Sequence, residues 1–167
     1  LDERLRPGMR VFDAMMGRGR HAIRYARRGC EVWGNDLNEH MVRLARKDAR
    51  NAGVDLKLST LDASRLRGVP SDRFDATLAM FSSLGSIPGH TTRGRVLREL
   101  ARVTRPGGSV IVHAHNRWDM LISPQNAGWA IKGYLFPGKG LRRGDMVADY
   151  NGLKRMFNHF YSPRELR

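Results

Sequence analysis

The stretch MRVFDAMMGRGRHA, residues 9–22, decides how the chain folds. Its first half is an apolar run and predicts a buried strand. Its second half carries Gly17 and Gly19, and glycine permits positive φ and a close approach of the backbone to a ligand. Apolar residues at helical spacing follow, and Gly29 is placed to end that helix. The stretch therefore predicts a strand, a tight loop and a helix.

The remaining sequence up to residue 118 alternates predicted strands and helices. Strands are predicted at 30–36, 55–62, 74–80 and 108–115, and helices between 38 and 53 and at 92–104. This alternation predicts an α/β fold: a doubly wound, Rossmann-like, mostly parallel sheet covered by helices. Ligands of such sheets lie at the carboxyl ends of the strands, near the switch in strand order. We expect residues 13–19, Asp36, Asp62 and the segment after Met80 to share that edge.

Beyond residue 118 the pattern changes. Asn151-Gly152 is a strong signal for a two-residue hairpin turn and predicts an inserted β-hairpin over 145–160. Ser162-Pro163 resembles the start of a helix that the sequence cuts short. The predicted domains are a ligand-binding core at 1–118, a substrate cap at 119–161 and the start of a truncated helix at 162–167.

Composition favours anionic partners. The formal net charge is +14, and because only five of the 30 basic residues are lysine, the other 25 are arginine. RNA is therefore one possible partner, although the arginines are scattered and also fit solvated helix faces. A single cysteine, Cys30, excludes an intrachain disulfide, and no metal site is predicted.

The sequence contains no apolar run of the roughly 20 residues that cross a bilayer, and its start lacks the apolar segment of a signal peptide. We expect a cytoplasmic protein with no membrane association. A homo-oligomer is compatible with the sequence.

Two interpretations compete for the glycine loop. Gly17, Gly19 and Ala22 satisfy the G-x-G-x-x-G/A fingerprint of dinucleotide binding, with Asp36 as a ribose ligand, which makes an NAD-dependent oxidoreductase one alternative. Asp13, at the end of the preceding strand, argues against a pyrophosphate because its charge suits a cationic or amine-bearing ligand.

Five ordered motifs over residues 5–117 resemble the class I S-adenosylmethionine-dependent methyltransferases. They are VFDAMMGRGRHA, VWGNDLNEHMVRLAR, LDAS, FDATLAMFSSLG and LRELARVTRPGGSVIVH. The resemblance implies a class I methyltransferase fold whose C-terminal strands are missing here. It also implies that the inserted segment after the fifth strand covers the methyl acceptor.

The resemblance implies S-adenosyl-L-methionine as the cofactor, held by Asp13, Met15, Gly17, Gly19, Asp36, Leu37, Asp62, Ala63 and Met80. One carboxylate can accept from both ribose hydroxyls, which is the role expected of Asp36. Asp62 is expected to accept from the adenine amine while Ala63 offers its backbone N–H to the ring. Asp13 is expected to organise the loop or to meet the amino group of the methionine part.

One residue departs from the family pattern. Met15 stands where the first glycine of the loop usually stands, and its Cβ hinders a positive φ. We expect that the loop bends differently or that Met15 packs against the donor.

Methyl transfer is an in-line displacement that mainly requires alignment, so a base is needed only when the acceptor must lose a proton. The candidate bases are His115, at the end of the fifth strand, and His159, in the hairpin. The candidate acceptor contacts are Asn116, Arg117, Trp118, Asn158 and Tyr161.

These features predict a methyltransferase that acts on a small molecule. The alternatives are an RNA (tRNA or rRNA) methyltransferase, favoured by the charge, an NAD-dependent oxidoreductase, and a donor-binding module without catalysis. The sequence does not identify the methyl acceptor.

Overall fold

The computed structural model describes residues 3–118, 140–150 and 152–166. The chain divides into two compact units. Unit 1 comprises Leu1–Met80 and Gly94–Val112, and unit 2 comprises Phe81–Arg93 and His113–Arg167. The domain boundary expected at 118 stays a prediction, and residues 119–139 of the expected cap lie outside the described residues.

The strands and helices predicted up to residue 115 are all present. In chain order they are β1 (Arg10–Ala14), α1 (Arg20–Arg27), β2 (Glu31–Asp36), α2 (Glu39–Asn51), β3 (Lys57–Thr60), β4 (Phe74–Ala79), α3 (His90–Val103) and β5 (Thr104–Val112). Asn38 caps α2, because its side chain accepts from the backbone N–H of His40 at 2.9 Å.

The five strands form one parallel sheet in the order β3-β2-β1-β4-β5. The chain runs outward from β1 to β3 and then returns to the other side of β1, so the switch in strand order lies between β1 and β4. In register, Asp13 of β1 pairs with Gly34 of β2 and Leu78 of β4. The predicted Rossmann-like sheet is confirmed.

Strand β5 begins earlier than the expected residue 108. It starts at Thr104, directly after α3, and Thr104 pairs with Phe74 while the next pair joins Ser109 to Ala76. Four residues of β5 therefore lie opposite one of β4, which is a bulge. The expected Pro-Gly-Gly turn at 106–108 is this bulge within the strand.

The core of unit 1 packs α1 against the sheet. Tyr25 and Ala22 of α1 are buried with Val11, Val32 and Leu78 of the three central strands. This packing fixes the N-terminus of α1 at the carboxyl edge of β1, where the glycine loop lies.

The hairpin of unit 2 is confirmed. It pairs β6 (Asp145–Tyr150) with β7 (Leu153–His159) in antiparallel register, and Gly152 has the positive φ of 81° that its turn requires. Downstream, Ser162 donates to the Glu165 carboxylate through its N–H and its hydroxyl, both at 2.7 Å. Residues 163–166 are turns, so the helix expected there stays a prediction.

Within the described ranges, no helix has the length and apolar character that crossing a membrane demands.

Candidate functional site

The candidate site residues of unit 1 lie at the carboxyl ends of four neighbouring strands. Strands β1, β2, β3 and β4 end at Ala14, Asp36, Thr60 and Ala79. The residues expected to hold a cofactor stand at or directly beyond these ends, and we call them the carboxyl-edge set: Asp13, Met15, Gly17, Gly19, Asp36, Leu37, Asp62, Ala63 and Met80. The parallel sheet therefore brings residues from position 13 to position 80 of the sequence to one edge.

The glycine loop is built from left-handed backbone conformations. Met15, Gly17 and Gly19 have φ of 53°, 56° and 73°. Gly17 and Gly19 adopt this region without steric cost, whereas a residue with a Cβ is strained there by about 1–2 kcal/mol. Met15 thus has the left-handed backbone that glycine adopts readily, and whether the loop as a whole bends differently stays a prediction. Whether Met15 contacts the donor stays a prediction.

Met16 supports the loop from below. Its largely buried side chain packs against Val42 and Ala45 of α2. A Cβ at Gly34 of β2 would overlap the Met16 sulfur. The missing side chain at Gly34 therefore makes the space in which Met16 lies.

Asp13 holds the start of α1. Its Oδ2 accepts from the backbone N–H of Ala22 at 3.1 Å, and the cap residue Gly19 has no side chain to do so. The carboxyl group is 1% exposed and its Oδ1 has no hydrogen-bond partner. Burial raises the pKa of Asp13 from 3.8 to about 7, although the Ala22 N–H and the Arg20 charge lower it. A cationic group bonded to Oδ1 would stabilise the carboxylate.

Asp36 ties the glycine loop to β2. Its Oδ2 accepts from the Gly17 N–H at 2.8 Å and its Oδ1 from the Asn38 N–H at 2.9 Å. Each carboxylate oxygen has two lone-pair sites, so both retain the capacity to accept once more. Both oxygens can therefore hold the loop and still take hydroxyl donors.

The remaining members of the carboxyl-edge set offer polar and apolar contacts. Asp62 is exposed and accepts from the Ser64 N–H at 2.8 Å, and the neighbouring Ala63 is buried. Leu37, directly after Asp36, is 71% exposed. Its side chain offers an apolar surface to a flat ligand.

In unit 2, the residues after β5 differ in their availability. His115 is exposed, and its ring stacks on Phe160 with 5.5 Å between centroids. Asn116 accepts from the Trp118 N–H at 3.1 Å, and Trp118 is exposed. The Arg117 guanidinium donates to Glu165 at 2.9 Å and to backbone carbonyls, which favours a structural role. Its role as an acceptor contact stays a prediction.

His159 lies between two carboxylates. It is 2% exposed, its Nδ1 is 2.7 Å from Asp145 Oδ1, and its Nε2 is 3.2 Å from Glu165 Oε1. We call this group, with Arg93 at 4.0 Å from Asp145 and Arg117 on Glu165, the His159 cluster. Because both ring nitrogens are occupied, this arrangement favours a structural histidine, and its role as a base stays a prediction.

Three polar side-chain atoms in the described part of unit 2 are buried without hydrogen-bond partners. They are the Tyr161 hydroxyl, the Asn158 Oδ1 and the Ser82 hydroxyl. Burial raises the pKa of Tyr161, and the charge of Arg93 opposes the shift. Tyr161 and Asn158 were expected to contact the acceptor, and that role stays a prediction.

One residue with contacts at the carboxyl edge was missed by sequence reasoning. Asn35 precedes Asp36 in β2 and is 0% exposed, with its Nδ2 donating to the Leu61 carbonyl at 2.8 Å. The available signal was an amide side chain at a buried strand position, where asparagine is disfavoured.

Comparison with known proteins identifies the family. A parallel sheet of this order with a glycine loop after β1 defines a Rossmann-like nucleotide-binding fold. A family model described as a methyltransferase domain matches residues 11–108, which is more than half of the chain. The chain belongs to the class I S-adenosylmethionine-dependent methyltransferase family.

Individual relatives span more than one chemistry. A ubiquinone/menaquinone biosynthesis C-methyltransferase from Bordetella parapertussis is 34% identical over 123 residues, 72% of this chain and 46% of that protein. A solved SAM-dependent methyltransferase from Methanosarcina mazei is 26% identical with a TM-score of 0.82, covering 99% of this chain and 78% of that one. The solved cyclase SpnF is 33% identical with a TM-score of 0.59, covering 65% and 40%. The chain thus spans less than half the length of the C-methyltransferase.

Proposed function

We propose that the chain binds S-adenosylmethionine at the carboxyl edge of unit 1 and transfers its methyl group to a small-molecule acceptor. The observation that carries the proposal is the pair of carboxylates in the carboxyl-edge set. Asp13 has a buried, unpartnered oxygen, and Asp36 holds the Gly17 amide while retaining free lone pairs. Both features suit a ligand that brings an ammonium group and ribose hydroxyls.

The residues present fit the donor. Asp13 would hold the amino group, Asp36 the ribose hydroxyls, and Asp62 with Ala63 the adenine, while Leu37 packs on the nucleoside. When bound, S-adenosylmethionine supplies an electrophilic methyl group on its sulfonium. The chain's own contribution is to bind and orient, which can lower a bimolecular barrier by roughly 7–11 kcal/mol.

A base is required only if the acceptor must lose a proton during transfer. His115 is the better candidate because it is exposed, whereas both nitrogens of His159 face carboxylates. A positioned base increases the rate by a factor of about 10²–10⁴. We infer that His115 takes this proton at a ring nitrogen, if one is taken.

Calorimetry tests the donor. We expect S-adenosylhomocysteine, the demethylated product, to bind, and NAD to give no heat. Binding heat with NAD but not with S-adenosylhomocysteine would contradict the proposal and favour an NAD-dependent oxidoreductase. Binding of S-adenosylhomocysteine without methyl transfer to any acceptor would leave a donor-binding module.

A small-molecule acceptor is supported by the similarity to a C-methyltransferase named for quinone biosynthesis. The similarity to the cyclase SpnF means that the reaction itself has to be measured. The direct measurement is mass spectrometry of candidate acceptors incubated with the protein and isotopically labelled S-adenosylmethionine. Cytoplasmic location and a homo-oligomeric state stay predictions.

An RNA acceptor is the second candidate, and one surface favours it. Exposed Arg20, Arg24, Arg27 and Arg28 lie on α1 or directly after it, beside a groove of about 730 Å³. The sequence of α1 contains no acidic residue. Arginine binds phosphate through paired N–H donors, so this face suits a nucleic-acid backbone.

Filter binding tests the RNA candidate. If α1 contacts phosphates, Arg24→Ala with Arg27→Ala should reduce the slope of log affinity against log salt by about 2. The matched control is Arg43→Ala with Arg46→Ala on α2, which should keep the slope. No measurable RNA binding in low salt would remove this candidate.

A further inference from the structure

Asn35 connects two segments of the carboxyl edge. Its backbone carbonyl accepts from the Met16 N–H at 3.0 Å, which fixes the loop after β1. Its side-chain Nδ2 donates to the Leu61 carbonyl at 2.8 Å, which fixes the segment after β3. Asn35 of β2 therefore holds the backbone of two segments, the loop after β1 and the segment after β3.

The Leu61 bond has a directional consequence. The carbonyl of Leu61 and the N–H of Asp62 belong to one planar peptide group, so fixing the oxygen also orients that N–H. The Leu61 N–H in turn donates to the Asp36 carbonyl at 3.2 Å. Leu61 is thus held at both of its backbone groups, immediately before Asp62 and Ala63.

An amide at position 35 is not explained by packing. The site is fully buried between Ala14 of β1 and Ser59 of β3, and its Oδ1 has no partner. Burying an unsatisfied polar atom destabilises the fold, and an apolar residue would avoid that cost. An apolar residue, however, could not donate to the Leu61 carbonyl as the Asn35 Nδ2 does.

We propose that Asn35 is a positioning residue for nucleobase selectivity, because its side chain holds the Leu61-Asp62-Ala63 segment in the orientation that recognises adenine. The proposal rests on the proposed donor site and deepens it. Asn35 itself touches no part of the donor in this account; it acts through the Leu61 carbonyl.

The test compares two ligands that differ at the nucleobase. S-Adenosylhomocysteine carries the adenine amine, and S-inosylhomocysteine carries a carbonyl in its place. In Asn35→Leu, which keeps the side-chain shape without the donor, we expect the affinity for S-adenosylhomocysteine to fall about tenfold. The affinity for S-inosylhomocysteine should change less than about twofold, because it already lacks the amine contact.

Two further variants keep the test independent of folding. Asn35→Ser is small and polar but too short to reach Leu61, and it should show the same loss of selectivity. Thr77→Val is the matched control, since Thr77 is an equally buried polar strand residue that bonds Thr104 at 2.9 Å. It should lose stability while keeping the preference for adenine.

The outcomes separate the two proposals. Wild-type protein that binds neither ligand would overturn the proposed function, and this inference with it. Wild-type protein that prefers S-adenosylhomocysteine, with an Asn35→Leu variant that keeps that preference or loses both ligands equally, would overturn the role of Asn35 alone.

Discussion

The carboxyl edge of unit 1 and the His159 cluster of unit 2 both bury ionisable groups, but they satisfy them differently. In the His159 cluster, each acid faces a basic partner within the unit: Asp145 and Glu165 both contact His159. At the carboxyl edge, Asp13 bonds only a backbone amide and leaves one oxygen without a partner.

This difference separates structural charge from charge that is available to a ligand. When a buried acid has a partner, removing either group is costly because the other is left without compensation. A buried acid without one destabilises the free protein and is stabilised by whichever ligand supplies the missing donor. The comparison therefore predicts where substitution changes stability and where it changes binding.

The largest expected effect is the pH dependence caused by Asp13. Its pKa of about 7 in the fold exceeds 3.8, so its stabilising contribution is complete below pH 3.8 and is lost as the pH rises through 7. The full difference corresponds to about 4 kcal/mol. Asp13→Asn still accepts from Ala22 and should remove this dependence in urea unfolding between pH 4 and 8.

The same unfolding measurement can be repeated with saturating S-adenosylhomocysteine. Its amino group should lower the pKa of Asp13, and the loss of stability with rising pH should then shrink in the wild type. Identical pH slopes for the wild type and Asp13→Asn would show that Asp13 does not titrate as described.

The next effect concerns the two histidines. His159→Ala removes the ring nitrogen that lies 2.7 Å from the buried Asp145 carboxylate and should cost up to about 3 kcal/mol of unfolding free energy. His115→Ala, the exposed comparison, should cost less, about 0.5–1.5 kcal/mol, because it loses the stacking on Phe160. Once an acceptor has been identified, His115→Ala should lower turnover while the donor affinity stays unchanged. A stable His159→Ala protein that binds the donor but has lost turnover would indicate that His159, rather than His115, is the base.

Removal of Asp36 should act on binding. Asp36→Ala loses the observed bond to the Gly17 N–H and the proposed contacts to ribose, and should weaken S-adenosylhomocysteine binding by about 1–3 kcal/mol. Asp55→Ala removes an exposed carboxylate near the start of β3 and should leave the affinity unchanged in calorimetry. Equal affinities for the two variants would refute the ribose role.

The smallest effect is expected at Met15. Met15→Gly removes the Cβ from a left-handed position, which relieves about 1–2 kcal/mol of strain. Glycine also makes the unfolded chain more flexible, and this entropy offsets part of the gain in unfolding free energy. A net gain of about 0.5–1 kcal/mol should appear in urea unfolding. Met15→Ala retains the Cβ and should show no such gain. If Met15→Gly also leaves donor affinity unaltered, Met15 does not contact the donor.

The sequence predicted the sheet because its signals are local. Apolar or alternating runs placed every strand up to β5, and the parallel sheet followed from the rules for α/β folds. The same rules brought Asp36 and Asp62 to one edge. The β5 bulge was missed because Pro-Gly-Gly is also a turn signal, and only pairing with β4 shows which structure forms.

The contacts of individual side chains could not be predicted in the same way. That Asp13 caps α1, and that Asn35 holds Leu61, depends on the register of neighbouring strands. His159 meets Asp145 because the hairpin pairs these two residues directly, and it meets Glu165 because the chain turns after Ser162. Sequence spacing of 14 and 6 residues carries no such information.

Met16 and Gly34 constrain one another across 18 positions of sequence. A methyl group added at Gly34 would overlap the Met16 sulfur, so the Met16 side chain would have to shift to admit it. A shorter side chain at position 16 would remove this overlap, but with glycine kept at position 34 it would leave a void beneath the glycine loop. We therefore expect substitutions at these two positions to compensate one another.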